Sequence, residues 1–185
     1  SLAVKHSEDC REEAAPGDFQ SEEVTAHSLP SGSGTGTFLH MLLEKIPFCL
    51  ARTWETPEDA ASVVASYTKD TPYSSWNSVL AAMVFHALKT PFIKGAALQD
   101  IDAGCSEIEA EFFYPHDSEL YLKGFIDLIF YHEGKFYVLD WKSNWLGPCG
   151  KSYSEEKMRS AMHKNDYFLQ AKIYTEALRR YLSLI

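Results

Sequence analysis

The chain has 185 residues, of which 45% are apolar, 14% aromatic and 23% charged, enough to bury one core and short enough to form one domain. No run approaches the ~18–20 consecutive apolar residues of a membrane-spanning helix, which sets that class aside. The net charge of −9 argues against a uniformly basic nucleic-acid-gripping surface, but the charge is uneven: residues 1–30 hold seven acids against two bases, and residues 151–185 hold seven bases against four acids.

Residues 1–35 read as an acidic linker, with Pro16, Pro30 and a Ser-Gly-Ser-Gly-Thr-Gly run at 31–36. That run lacks the Gly-Lys-Ser/Thr ending of a phosphate-binding loop, so no ATPase motor is expected. The opening Ser-Leu-Ala-Val, with no Met and no basic-then-apolar leader, reads as an internal piece of a longer polypeptide. Cys10, Cys49, Cys105 and Cys149 form no CxxC pair, which disfavours a structural zinc site and suggests four buried or idle thiols in a reducing compartment.

From Thr37 the pattern turns helical, with Phe38, Leu39, Leu42, Leu43 and Ile46 on one face and Pro47 as a stop. Further helices are expected over 57–69 and 76–89; His86, inside the second, reads as a packing residue. The period then changes to two. Residues 107–114 alternate as a strand, and 120–131 and 135–142 are apolar on both faces, as in central strands of a covered sheet. Glu133-Gly134 joins the last two as a hairpin. After a loop containing Gly147, Pro148 and Gly150, a helical stretch over about 154–183 is expected to break near Asn165. The order α-α-α-β-β-β-α gives an α/β (α+β) layered domain.

Three charged residues do not fit apolar strands. Asp127 lies between Ile126 and Leu128, and Asp140 and Lys142 close a Tyr-Val-Leu run, where an unpaired carboxylate is costly. A two-residue loop at Glu133-Gly134 puts Asp127 directly opposite Asp140, with Cβ atoms ~5 Å apart. Their repulsion is ~3 kcal/mol at an effective dielectric of ~20, so a cation belongs between them. A three-residue loop with a bulge would send Asp127 to the other face; turn statistics do not choose, and the charges favour the two-residue loop. Lys142 supplies one cation, in a salt bridge at a sheet end, and a divalent ion is the alternative.

The segment Lys123–Gly147 resembles the nuclease domain of the RecB family of helicase–nucleases, within the PD-(D/E)XK nuclease superfamily. Gly36-Thr-Phe-Leu-His40 resembles the family's Gly-Thr-x-x-His motif, Ile108–Phe112 its acidic first strand, and Tyr167–Tyr174 its Gln/Tyr motif. The resemblance implies a restriction-endonuclease-like core and a DNA nuclease in which Asp127 and Asp140 hold Mg²⁺, with Mn²⁺ able to substitute. It further implies that His40 and the main-chain carbonyl of Trp141 add ligands, and that Lys142 orients the attacking water and stabilises charge on the phosphate. Glu109 aligns with an acidic family position, while Glu107, Glu109 and Glu111 on one strand face also suit a solvated edge. Gln170, Tyr174 and Tyr167 would touch substrate phosphate or support the site; Tyr174 equally suits a core contact. The cysteines lack the spacing of the iron–sulfur cluster found in some relatives.

The same resemblance implies cytoplasmic bacterial work on DNA ends with RecC-like and RecD-like subunits, helicase domains on the same full-length chain, and no membrane. It places the nuclease domain at 36–185, ending before a further strand of the family. A module that has lost catalysis and serves subunit assembly or strand guidance is the rival; it predicts erosion of Asp127, Asp140, Lys142 or His40, all of which are present. A non-nuclease metal protein leaves Lys142 without a reason.

Overall fold

The switch from a helical to a strand period near residue 106 is where the fold changes layer. The computed structural model describes residues 24–30, 32–115 and 120–184, so most of the expected linker lies outside the described residues. Helices α1 (Ser33–Lys45), α2 (Ala61–Thr68) and α3 (Asn77–Lys89) come first. Strands β1 (Ser106–Pro115), β2 (Tyr121–His132) and β3 (Lys135–Leu139) follow, then α4 (Glu155–Lys164) and α5 (Tyr167–Leu182). The break between α4 and α5 falls at Asn165–Asp166, where Asp166 adopts φ 55°, a left-handed conformation that Asp tolerates better than most residues.

Helix α1 starts at Ser33, inside the Ser-Gly run and ahead of the apolar pattern. Glycine costs a helix interior roughly 1 kcal/mol relative to alanine. Leu42 and Ile46, both fully buried on that helix's apolar stripe, offset the cost of Gly34 and Gly36, since burying such a side chain contributes roughly 1.5–3 kcal/mol. The main core joins these two residues to Val64 of α2, Leu80, Val84 and Leu88 of α3, and Leu128 and Phe130 of β2.

Among the described residues the strands form one antiparallel sheet in the order β1-β2-β3. Glu133 (φ 46°) and Gly134 (φ 79°) both take positive φ, which a two-residue type I′ hairpin turn requires. The register is the one the charges favoured: His132 pairs with Lys135 and Leu128 with Leu139. Pairing stops at Leu139, short of the expected 142. On β2, Leu128 and Phe130 face α1–α3 while Ile129, opposite Val138, belongs to a second cluster with Ile173, Tyr174 and Ala177 of α5. The sheet is therefore layered between α1–α3 and α5.

Two expectations about the strands change. Residues 135–142 do not form a central strand; β3 is an edge in the described sheet. The β1–β2 ribbon is also covered on both faces only near β3. Beyond Asp127, Phe113, Tyr121 and Phe125 are exposed, and Phe113 and Tyr121 stack on each other at 5.0 Å. β3 pairs only with Leu128–His132, and the far half of β1–β2 runs on as a two-stranded arm that packs on α5 through Tyr114 and Ile126 while its other face stays open. The thiol expectation changes as well. Cys49 and Cys105 are free but exposed, and Cys149 is disulfide-bonded. Spacing that excludes a CxxC pair says nothing about a bridge between distant residues. Cys10 lies outside the described residues.

Candidate active site

The site forms where the β2–β3 ladder ends. One register step beyond Leu128 and Leu139 lie Asp127 and Asp140; Asp127 meets α1 and Asp140 meets α5. Trp141 does not continue the ladder; its backbone N–H donates to Asp127 Oδ2 at 2.7 Å. His40, carried in by α1, places Nδ1 3.6 Å from that same oxygen. The side chains of Asp127 and Asp140 are only 13% and 17% exposed. Burial pushes the Asp127 carboxyl above its ordinary value; the Trp141 N–H opposes that rise and the charge of Asp140 adds to it.

Gln170 on α5 ties the other half together. Its Oε1 accepts from Lys142 Nζ at 2.7 Å, and its Nε2 donates to Asp140 Oδ1 at 3.2 Å and to the Tyr174 hydroxyl at 2.6 Å. Lys142 pairs with Asp140 and lies 3.9 Å from the centre of the Tyr167 ring, a distance at which a cation is attracted to the π-face. The spacing of residues 167, 170 and 174 on one helix face thus presents all three to the hairpin end. Tyr174 also meets the Phe112 ring edge-on at 5.7 Å, so its packing and polar readings hold together. Burial pushes its hydroxyl above the ordinary tyrosine value.

Glu109 is not simply part of a solvated row. It stands opposite Asp127 in the β1–β2 register but is skipped by the pairing, and its φ is 54°, a strained conformation for glutamate. Partial burial, then the Asp127 charge, push its carboxyl above the ordinary value. Ile108 packs with the α1–α3 core, whereas Ala110, of the same parity, packs against α5. The ribbon turns its faces over at this point.

A family model for the PD-(D/E)XK nuclease superfamily matches residues 18–183. The chain belongs to that superfamily. Asp140, Trp141 and Lys142 read D-x-K, the pattern in the superfamily's name. Among curated relatives, the chain is 33% identical to the RecBCD enzyme subunit RecB of Escherichia coli K12, over 86% of this chain and 16% of that protein. It is 31% identical to the RecB subunit of Haemophilus influenzae, over 85% of this chain and 15% of that protein. It is 29% identical to that of Chlamydia muridarum, over 87% and 16%. The chain thus spans about one sixth of the length of the curated relatives it matches.

PD-(D/E)XK nucleases generally use divalent metals, and the donor set here suits a hard cation. Asp140 Oδ2 is buried and ion-paired with the Lys142 ammonium. No group of three or more His, Cys, Asp or Glu side chains closes into a complete cage among the described residues. Mg²⁺ is commonly held by one or two carboxylates plus waters and substrate phosphate rather than by an all-protein cage. Asp127 and Asp140, with His40 beside Asp127, fit that arrangement. The part of Trp141 drawn into the site is its N–H.

Three neighbours of Lys142 were not singled out from sequence. A Cβ on Gly36 would fall 2.8 Å from Ser143 Oγ, which gives the Gly-Thr-x-x-His motif a steric reason for glycine. Asn144 Oδ1 accepts from the Tyr167 hydroxyl at 3.0 Å, and Trp145 stands exposed in the next position. Their signal was adjacency to Asp140-x-Lys142. Lys142, His40 and Trp145 line one groove of about 560 Å³. A larger cavity of about 910 Å³ between β1–β2 and the end of α5 contains none of the proposed ligands or Lys142.

Proposed function

We propose that this RecB-like PD-(D/E)XK domain is a Mg²⁺-dependent deoxyribonuclease that hydrolyses DNA phosphodiester bonds, with Mn²⁺ able to substitute. The observation that carries the reading is Asp140: one oxygen is fixed by Gln170, and the other is buried and ion-paired with Lys142. That is the environment of a carboxylate made to meet a cation. Asp127 and Asp140 would hold the ion, with His40, the Trp141 carbonyl and Glu109 as further candidate ligands. When bound, the ion supplies Lewis-acid polarisation of the phosphate and lowers the pKa of a water.

The chain's own residues do the rest. Gln170 and the Tyr167 ring hold the Lys142 ammonium in place, so it meets the negative charge that builds on the phosphate as water adds to phosphorus and the P–O ester bond breaks. The Trp141 N–H fixes the Asp127 oxygen that His40 faces. The Tyr174 hydroxyl accepts from the same Gln170 nitrogen and helps to hold it. Weak bulk attraction for DNA, expected from the net charge of −9, is tolerable where a motor delivers the strand. This fits work on DNA ends in recombinational repair beside RecC-like and RecD-like subunits, with helicase domains on a longer chain, in the bacterial cytoplasm. No helix among the described residues is long and apolar enough to cross a membrane.

The test is cleavage of linear DNA by the chain with Mg²⁺, with Mn²⁺ and with EDTA, beside Asp140→Ala and Lys142→Ala. Metal-dependent cleavage by the parent and a loss of at least 100-fold in both variants is expected, in line with removing a preorganised charge from a transition state. Equal cleavage by all three proteins overturns the assignment. A folded parent that binds metal yet never cuts favours the assembly module.

A further inference from the structure

Of the four tryptophans, Trp54 is buried, and Trp76 and Trp141 pack against the same core. Trp145 is 56% exposed. A tryptophan on a loose surface loop would be unremarkable as a single exposed apolar residue, but this loop is not loose. Asn144 on one side is bonded to Tyr167 of α5, and on the other side the Leu146 backbone N–H donates to the Tyr153 hydroxyl at 3.3 Å. Ser143 is wedged against Gly36 of α1. The two neighbours are tied down and the indole between them is left open, in the groove that also holds His40 and Lys142. That is a presented side chain whose ordering cost has already been met by the fold.

Position in the chain sets what it can touch. Three residues span at most ~10 Å, and stacked nucleotides advance ~3.4 Å each along a strand. The indole therefore reaches a base within about three nucleotides of a phosphate at Lys142. Flat aromatic faces in a groove are a sequence-tolerant way to hold bases, because every base has a π-face.

We propose that Trp145 is a substrate-positioning residue: its indole stacks on an unpaired nucleobase next to the phosphate held at Lys142. The proposal rests on the nuclease reading and adds a subsite to it. Stacking fixes the strand's advance past the cutting residues, so its loss weakens binding and raises KM while leaving kcat nearly intact. Loss of Lys142 acts on kcat instead.

The test is binding of short fluorescein-labelled single strands, each carrying one abasic position, by the parent, Trp145→Ala and Trp145→Phe in EDTA, with steady-state cleavage in Mg²⁺ alongside. Trp145→Ala is expected to weaken binding of the intact strand about 5- to 100-fold, and Trp145→Phe to restore most of it. One abasic position should cost the parent a similar factor and cost Trp145→Ala nothing, a non-additivity that a merely structural tryptophan would not produce. If Trp145→Ala binds intact strands as the parent does, or every abasic penalty persists in it, while Lys142→Ala still abolishes cleavage, the stacking assignment falls and the nuclease reading stands. If no form binds or cuts any strand, both fall.

Discussion

Replacing Asp127 by Asn in the metal-free protein is expected to stabilise it, an unusual result for a polar residue so little exposed. Asp127 and Asp140 face each other one step past the last β2–β3 pair, where strand geometry would put their Cβ atoms ~5 Å apart. At an effective dielectric of ~20 the bare repulsion is ~3 kcal/mol. Lys142 against Asp140 and His40 beside Asp127 offset part of it, leaving about 1–2 kcal/mol. The Asn Oδ1 can still accept the Trp141 N–H, so that hydrogen bond survives. The pH dependence follows from the raised Asp127 carboxyl. A group that binds its proton more tightly folded than unfolded makes stability fall as pH climbs from the unfolded value, ~3.9, through the folded one. Ionised Asp127 is therefore a net cost at neutral pH. In EDTA, Asp127→Asn should unfold about 2–8 °C higher than the parent at neutral pH, and the gap should close as pH falls below ~4. Asp140→Asn should show no such gain, because it strips the partly buried Lys142 of its charge partner. A less stable Asp127→Asn, or a gap that ignores pH, would refute the charge argument.

Gly147 takes φ 148°, and a Cβ there would lie 2.6 Å from the Ser152 Cβ; Gly147→Ala should cost about 1–3 kcal/mol, read as a fall in Tm, with Gly134→Ala as a control that is strained but unobstructed. Gln170→Ala leaves Asp140, Lys142 and Tyr174 without their shared partner; unfolding in denaturant should show a loss of about 1–3 kcal/mol, and cleavage should lose kcat more than KM. The Arg179 and Arg180 side chains hold the Glu176 carboxyl down at about 2. Its contribution is complete above the unfolded value and is lost as pH falls toward about 2, so the Tm gap between the parent and Glu176→Gln should shrink across that interval in acid.

What could be read from sequence, and what could not, divides along physical lines. Helices with an apolar stripe, and a hairpin turned by Glu133-Gly134, are written in periodicity and turn chemistry, so α1–α3 and the register fall where the pattern puts them. The placing of Asp127 and Asp140 one step past the last β2–β3 pair was legible because register converts sequence distance into spatial distance. The ends of elements were less so. Residues Asp140–Lys142 read as strand because they continue an apolar run; only the side-chain capture of the Trp141 N–H, a tertiary event, ends the ladder before them. The left-handed Glu109 was invisible for the same reason: alternation predicts a face, and a residue that flips the ribbon breaks the alternation it would be predicted from. The loop beyond Lys142 carries no period at all, and its order comes from scattered partners: Gly36 of α1, Tyr153, and Tyr167 of α5.

The strained Glu109 and the shortened β3 have one cause. A sheet that continued smoothly through this point would put Asp127 opposite both Glu109 on one side and Asp140 on the other, three carboxylates in a row across a face. Like charges directly opposite destabilise a sheet. The fold answers on both flanks: on β1 the pairing skips Glu109 and the ribbon turns over, and on β3 Asp127 takes a backbone N–H and the strand stops. Asp140 and Lys142 are thereby freed from the sheet and turned to Gln170. The charge that the sheet could not tolerate is gathered beside one lysine, next to the groove that Lys142 and His40 line, an arrangement suited to meeting a cation.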